Sequence, residues 1–87
     1  MISNAGYNRF IAVTPSNTDD LALFQAKDRR LTDGIYVGGG GNLVAVMEDG
    51  STVTFTGALI GTILPIQARR INASSTTASL LVALYKI

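Results

Sequence analysis

With 87 residues, 47% of them hydrophobic and 15% charged, the chain has room for one domain with a thin core. Seven Lys and Arg against six Asp and Glu leave a net charge of +1, too little for the basic footprint of a nucleic-acid binder. The absence of histidine and cysteine removes the commonest general base near neutral pH, the best nucleophile and any disulfide framework.

So oily a composition in so small a chain implies that part of its apolar surface faces a partner. The amino terminus, MISNAGYNRF, has no basic start followed by an apolar stretch, so no secretory signal is read there. The longest uncharged segment, 50–68, is rich in Thr and Gly and contains Pro65, unlike a membrane span. These features read as one soluble domain over 1–87, synthesised in the cytoplasm. Residues 1–8 are expected as an N-terminal arm, flexible or in contact with a partner.

Residues 9–14 (RFIAVT) form a β-branched and aromatic run stopped by Pro15. Ser16-Asn17-Thr18-Asp19 has the spacing of a helix start, with a side-chain oxygen placed to accept an early backbone N–H. The following LALFQAKDRRL is only loosely helical in period, so 17–31 reads as an irregular or short helical segment. From Gly34 the period becomes two, with Ile35 and Val37 on one face and Tyr36 on the other. The glycines at 38–41 read as a bend between strands. A phosphate loop would lead into a helix and carry Lys-Ser/Thr, whereas this run leads into Leu43-Val44-Ala45-Val46.

Strands 43–48 and 51–56 are joined by Asp49-Gly50, a strong hairpin signal. A two-residue turn would set Val46 opposite Val53 and Val44 opposite Phe55. That register puts Val44, Val46, Val53 and Phe55 on the core face. It leaves Leu43, Ala45 and Met47 beside Thr52, Thr54 and Thr56 as a half-wet contact face. Residues 62–71 (TILPIQARRI) read as one strand, confined by Pro65 to an edge or a bulge. The polar loop 72–79 precedes a last strand, 80–87, that is apolar on both faces. Leu80, Val82 and Leu84 share one side and Leu81, Ala83, Tyr85 and Ile87 the other. Such a strand is central and covered, or covered by a neighbouring subunit. The whole is an all-β chain, a small antiparallel β-sandwich of about six strands.

No set of residues points to catalysis, a metal or a cofactor. Asp19-Asp20 and Glu48-Asp49 read as solvated turns rather than a calcium site, because neighbouring strand side chains point opposite ways. Arg29-Arg30 read as the cap of an exposed segment. Arg69 and Arg70, if on one strand, face opposite sides and form no single patch, leaving one free to reach a carboxylate across a subunit interface. The three tyrosines and three phenylalanines are scattered without a basic surround, which disfavours the alternative of a small β-barrel that binds nucleic acid.

Several segments carry a family likeness in their order and spacing. They are Val13-Thr14-Pro15-Ser16, Thr18-Asp19-Asp20-Leu21, Ile35-Tyr36-Val37-Gly38-Gly39, Leu43-Val44-Ala45-Val46 and Thr52-Val53-Thr54-Phe55. Gly61-Thr62-Ile63-Leu64-Pro65-Ile66, Arg69-Arg70-Ile71-Asn72-Ala73, Thr76-Thr77-Ala78 and Leu81-Val82-Ala83-Leu84-Tyr85 complete the set. From about Phe10 onward the chain resembles the small head spike base proteins of tailed bacteriophages and gene transfer agents. The resemblance implies a structural virion protein on the capsid surface, at the vertices, assembled as a homo-oligomer that supports a spike or fibre. A pentamer is favoured; a trimeric cement protein that stabilises capsomers is the alternative. The implied partners are further copies of the chain, the major capsid protein and a head fibre or spike protein, with no nucleic acid and no membrane. Contacts are expected at Leu43, Met47, Thr52, Thr54, Arg69, Arg70, Leu81 and Tyr85, and along the stretch 63–70. Truncating Tyr85 is expected to weaken assembly by about 2 kcal/mol.

Overall fold

The computed structural model describes residues 6–87; the first five positions of the expected arm lie outside the described residues. Seven strands and one helical turn follow in chain order: β1 (Arg9–Ala12), α1 (Ala22–Gln25), β2 (Gly34–Gly39), β3 (Gly41–Val46), β4 (Thr52–Ala58), β5 (Ile63–Leu64), β6 (Arg70–Ile71) and β7 (Ser79–Tyr85). They build two antiparallel sheets. The first has the order β1-β7-β2-β5 and the second β4-β3-β6. Inward side chains of both meet in one core, where Ile35, Val37, Leu43, Ala45, Ile71, Leu81, Ala83 and Tyr85 are buried. The all-β sandwich is therefore as expected, with a short helical turn inside the irregular segment.

Its own chain covers one face of the two-faced last strand, while Leu80 on the other stays exposed. β7 is central, flanked by β1 and β2, and its Leu81, Ala83 and Tyr85 point into the core. The glycine run does more than bend: Gly38 and Gly39 belong to β2 and Gly41 to β3, so the chain passes from one sheet to the other at Gly40.

The hairpin exists, but its register differs by one residue from the expected one. Val46 faces Thr52, Ala45 faces Val53, Val44 faces Thr54 and Leu43 faces Phe55. The turn has three residues, closed by Met47 N–H donating to the Ser51 carbonyl at 2.8 Å and Gly50 N–H to the Met47 carbonyl at 3.0 Å. Gly50 sits at φ +91, the left-handed step that a three-residue hairpin needs and that glycine adopts without a steric penalty. The Asp49 carboxylate accepts from Ser51 N–H and from its hydroxyl, which stiffens this turn and lowers the Asp49 pKa. A one-residue slip exchanges the faces of a strand. Leu43 and Ala45 are accordingly in the core with Met47 and Phe55 packed against it. Val44 and Val46 lie on the opposite side with Thr52 and Thr54 yet are buried as expected, so β3 is covered on both faces. Of the four residues expected inside, only Val53 is exposed.

Residues 62–71 form two short edge strands in different sheets rather than one strand. Pro65 breaks the run, with Ile66 N–H reaching back to the Leu64 carbonyl at 2.9 Å across it. The crossing chain is fixed by buried Thr32, whose hydroxyl donates to the Ile66 carbonyl at 2.7 Å and accepts from Ala68 N–H at 2.9 Å. Ser16 builds a turn, not a helix cap: its hydroxyl accepts from Thr18 and Asp19 N–H, while α1 starts later with Leu21 at its N-cap and no side-chain cap.

Candidate assembly surfaces

Among the described residues there is no group of three or more carboxylates, histidines or cysteines able to hold a metal. No described helix is long and apolar enough to cross a membrane. A cavity of about 250 Å³ lies between β1 and α1, lined by Ile11, Ala12, Leu21, Ala83 and Tyr85 with Asp20 at its rim. Thr14, Ser16 and Asp19 also line it, with the Ser16 hydroxyl engaged by backbone N–H groups and the Asp20 carboxylate by Arg69 and Arg70. The informative features are on the surface.

Four large apolar side chains stand on the outer face of the first sheet. Register pairs Phe10 with Leu84, and Tyr36 with both Val82 and Ile63, placing all five on the side away from the core. Leu80, two residues before Val82 and with its Cβ against position 38, belongs to the same side. Phe10 is 61% exposed, Tyr36 37%, Ile63 43% and Leu80 77%. With about 200 Å² for each large side chain when free, these four leave about 400 Å² of apolar surface in water. That equals the largest patch on a typical monomer, and such patches mark interaction sites. Leu59 and Ile60, both exposed, add to it from the loop beside β2, which Gly61 ties down by donating to the Val37 carbonyl at 2.7 Å.

Leu80 has φ +51, an unusual conformation for a branched residue. The β2–β7 ladder pairs Val37 with Leu81 and Gly39 with Ser79 but omits Gly38 and Leu80. A Cβ at position 38 would lie 2.5 Å from the Leu80 carbonyl oxygen, so glycine there is what lets the Leu80 backbone approach. The cost is local strain, and the result is a leucine held out in water.

A second feature is the charged junction behind β6. Arg69 Nε and Nη2 donate to Asp20 Oδ1 and Oδ2 at 3.2 and 2.9 Å, and Arg70 Nη1 donates to Oδ1 at 3.0 Å. Arg69 Nη1 also reaches the Glu48 carbonyl at 3.2 Å, and its guanidinium lies 4.7 Å from the Phe24 ring, with that of Arg29 at 4.3 Å. The Arg69 hydrogen bonds, with the charges of both arginines, hold the Asp20 carboxyl below its ordinary 3.8 against the opposing effect of desolvation. Asp20 raises Arg69 in turn. The expected inter-subunit carboxylate is thus replaced by one in the same chain. Arg30 pairs with Asp33 at 3.7 Å and donates to the Lys86 carbonyl.

The structure divides the eight expected contact residues. Leu43, Leu81 and Tyr85 are buried in their own core, so a partner cannot reach them without opening the fold. Tyr85→Ala would therefore act on folding, which corrects the assembly role expected for it. Met47 is half-buried against the core, Arg69 and Arg70 are engaged with Asp20, and Thr52 and Thr54 are exposed on β4. Ile63, at the start of the 63–70 stretch expected to make contacts, is exposed as that expectation requires, whereas sequence reasoning missed Phe10, Tyr36, Leu80, Leu59 and Ile60 as exposed positions. The period-two signal that separates Tyr36 from Ile35 and Val37, and Leu80 from Leu81, already carried part of that information.

The surface and the fold define a small all-β module with an uncovered apolar face. No protein-family model matches the chain, and no curated protein matches it. Among solved structures it is similar to a chain from the capsid of a native GTA particle, computed with C5 symmetry. The identity is 35%, the alignment covers 97% of this chain and 90% of that one, and the TM-score is 0.77. The chain belongs to the family of that gene transfer agent capsid chain.

Proposed function

We propose that the protein is a non-catalytic structural component of a virion, a head spike base that decorates the capsid at its vertices. Copies form a homo-oligomeric ring, pentameric in this reading, seated on the major capsid protein and supporting a spike or fibre. The observation that carries the proposal is the full-length likeness to a chain of a GTA particle capsid computed with C5 symmetry. The uncharged outer face around Phe10, Tyr36, Ile63 and Leu80 supports it, because such a face is suited to permanent contact. Thr52 and Thr54 remain contact residues in this reading. Arg69 and Arg70 are held by Asp20 of their own chain in this reading rather than by a carboxylate of a neighbour.

Native mass spectrometry of the purified full chain across a concentration series tests the oligomer. Five copies are expected. Three copies would convert the assignment to a trimeric cement protein, and a monomer at high concentration would overturn self-assembly.

A further inference from the structure

The four sheet edges are unequal, and the inequality has a direction. β5 has two residues and ends at Pro65; β6 has two residues, one of them Arg70. Short strands, prolines and charges are the usual devices against unwanted edge pairing. The β6 flank is also occupied, since Ser16 N–H donates to the Ile71 carbonyl and Leu21 N–H to the Arg69 carbonyl. β4 has none of these protections. Its seven residues, TVTFTGA, carry no charge and no proline.

The register states which groups the edge offers. Met47 N–H bonds the Ser51 carbonyl, and hydrogen-bonded pairs alternate, so Ala45–Val53 and Leu43–Phe55 are the bonded pairs of the hairpin. Thr52 and Thr54 therefore turn their backbone N–H and C=O away from β3. Among the described residues, nothing bonds those groups. β1 has the same property. Val13 N–H bonds the Leu81 carbonyl, which makes Ile11–Ala83 a bonded pair and leaves Phe10 and Ala12 with outward backbone groups.

These two open edges lie on opposite flanks of the sandwich. β4 shares a flank with β5, joined to it by the loop of Leu59 and Ile60; β1 shares a flank with β6 through the Ser16–Ile71 bond. Two complementary edges on opposite sides make a head-to-tail contact, the type that closes into rings, whereas one self-complementary edge makes a two-fold dimer. We propose that neighbouring copies of this chain join by strand addition, the β4 edge at Thr52 and Thr54 of one copy pairing with the β1 edge at Phe10 and Ala12 of the next. The proposal rests on the ring reading above and names its contact. Two outward residues on each side supply four main-chain hydrogen bonds. The same contact covers Val53 and Phe10, which are 44% and 61% exposed beside the two edges. No ionisable side chain stands on β4 to oppose the approach.

The test uses the full chain and two variants that block one edge each. Thr54→Pro removes an outward N–H on β4 and Ala12→Pro removes one on β1; neither N–H takes part in the internal ladder. Far-UV circular dichroism reports folding, and Thr54→Lys, an exposed charge on the same edge, serves if the proline variant does not fold. Each single variant is expected to be monomeric, or to need at least about tenfold more protein for assembly, as loss of main-chain bonds at a junction implies. An equimolar mixture of Thr54→Pro and Ala12→Pro is expected to give 1:1 heterodimers and nothing larger, because one intact β1 edge meets one intact β4 edge. Wild-type oligomers from either folded variant would overturn the proposal and leave the ring reading standing. Loss of assembly in Thr54→Pro but not in Ala12→Pro would show β4 pairing with itself, and would overturn it too. A wild-type chain that stays monomeric would overturn both the contact and the ring.

Discussion

Leu43→Ala distinguishes the two hairpin registers by the size of its effect. In the observed register Leu43 is fully buried opposite Phe55, in the same core as Ala45 and Ile71. The substitution deletes three carbons, worth about 2.4 kcal/mol at roughly 0.8 kcal/mol each. The cavity left behind brings the expected loss to about 3–4 kcal/mol, within the range for buried leucines. A domain of this length has about 4–13 kcal/mol of total stability, so the change removes a quarter or more of it. Val53→Ala is the companion. Val53 is partly exposed at the free edge, so its truncation should cost less than about 1 kcal/mol. Urea unfolding followed by circular dichroism at low micromolar protein measures both, and Leu43→Ala should also lower Tm by at least about 12 °C. In the slipped register Leu43 would face outward, while Val53 would keep the core-facing side it already shares with Ala45 at the free edge. A loss below about 0.5 kcal/mol for Leu43→Ala would refute the inward placement of Leu43.

Three further outcomes follow from single contacts. Gly38→Ala places a methyl group against the Leu80 carbonyl and should cost about 1–3 kcal/mol in a thermal melt; an unchanged Tm would contradict the close approach. Tyr85 has a buried hydroxyl without a partner, so Tyr85→Phe should be stabilising by about 1 kcal/mol in the same urea assay, and a destabilised variant would show that the hydroxyl has one. Burial also raises the Tyr85 pKa above 10.0. Its protonated form therefore contributes stability that is present below pH 10 and lost as pH rises through the folded-state value, and Tyr85→Phe should flatten that alkaline limb. Asp20 is shifted the other way: its stabilisation is present above the ordinary 3.8 and lost as pH falls through the lower folded-state value. Asp20→Asn should be less stable than the parent at pH 7 and should lose less on acidification below pH 4; parallel acid limbs would contradict the paired-arginine account.

Period-two patterning made the sandwich legible, and Asp49-Gly50 made the hairpin legible, but neither determined which face is inside. Val44 and Val46 at even positions and Leu43, Ala45 and Met47 at odd ones offer two apolar faces. Asp-Gly serves both two- and three-residue turns. The choice falls to tertiary packing, where Leu43 fills the space between the sheets. Alternation also misled at Arg69 and Arg70, because it presumes one continuous strand. Once Pro65 has split the run, the backbone before β6 is free to turn, and both guanidinium groups meet at Asp20. The left-handed Leu80 had no local signal, since its conformation depends on a glycine one strand away. The apolar face was half visible as oily composition and placeable only after β7 proved central.

A reconstruction of a particle carrying this chain, refined without imposed symmetry, tests the central claim most directly. The account predicts five copies around each five-fold vertex, each with its β4 edge against the β1 edge of its neighbour. Density for the chain at three-fold positions, or none on the capsid, would contradict it.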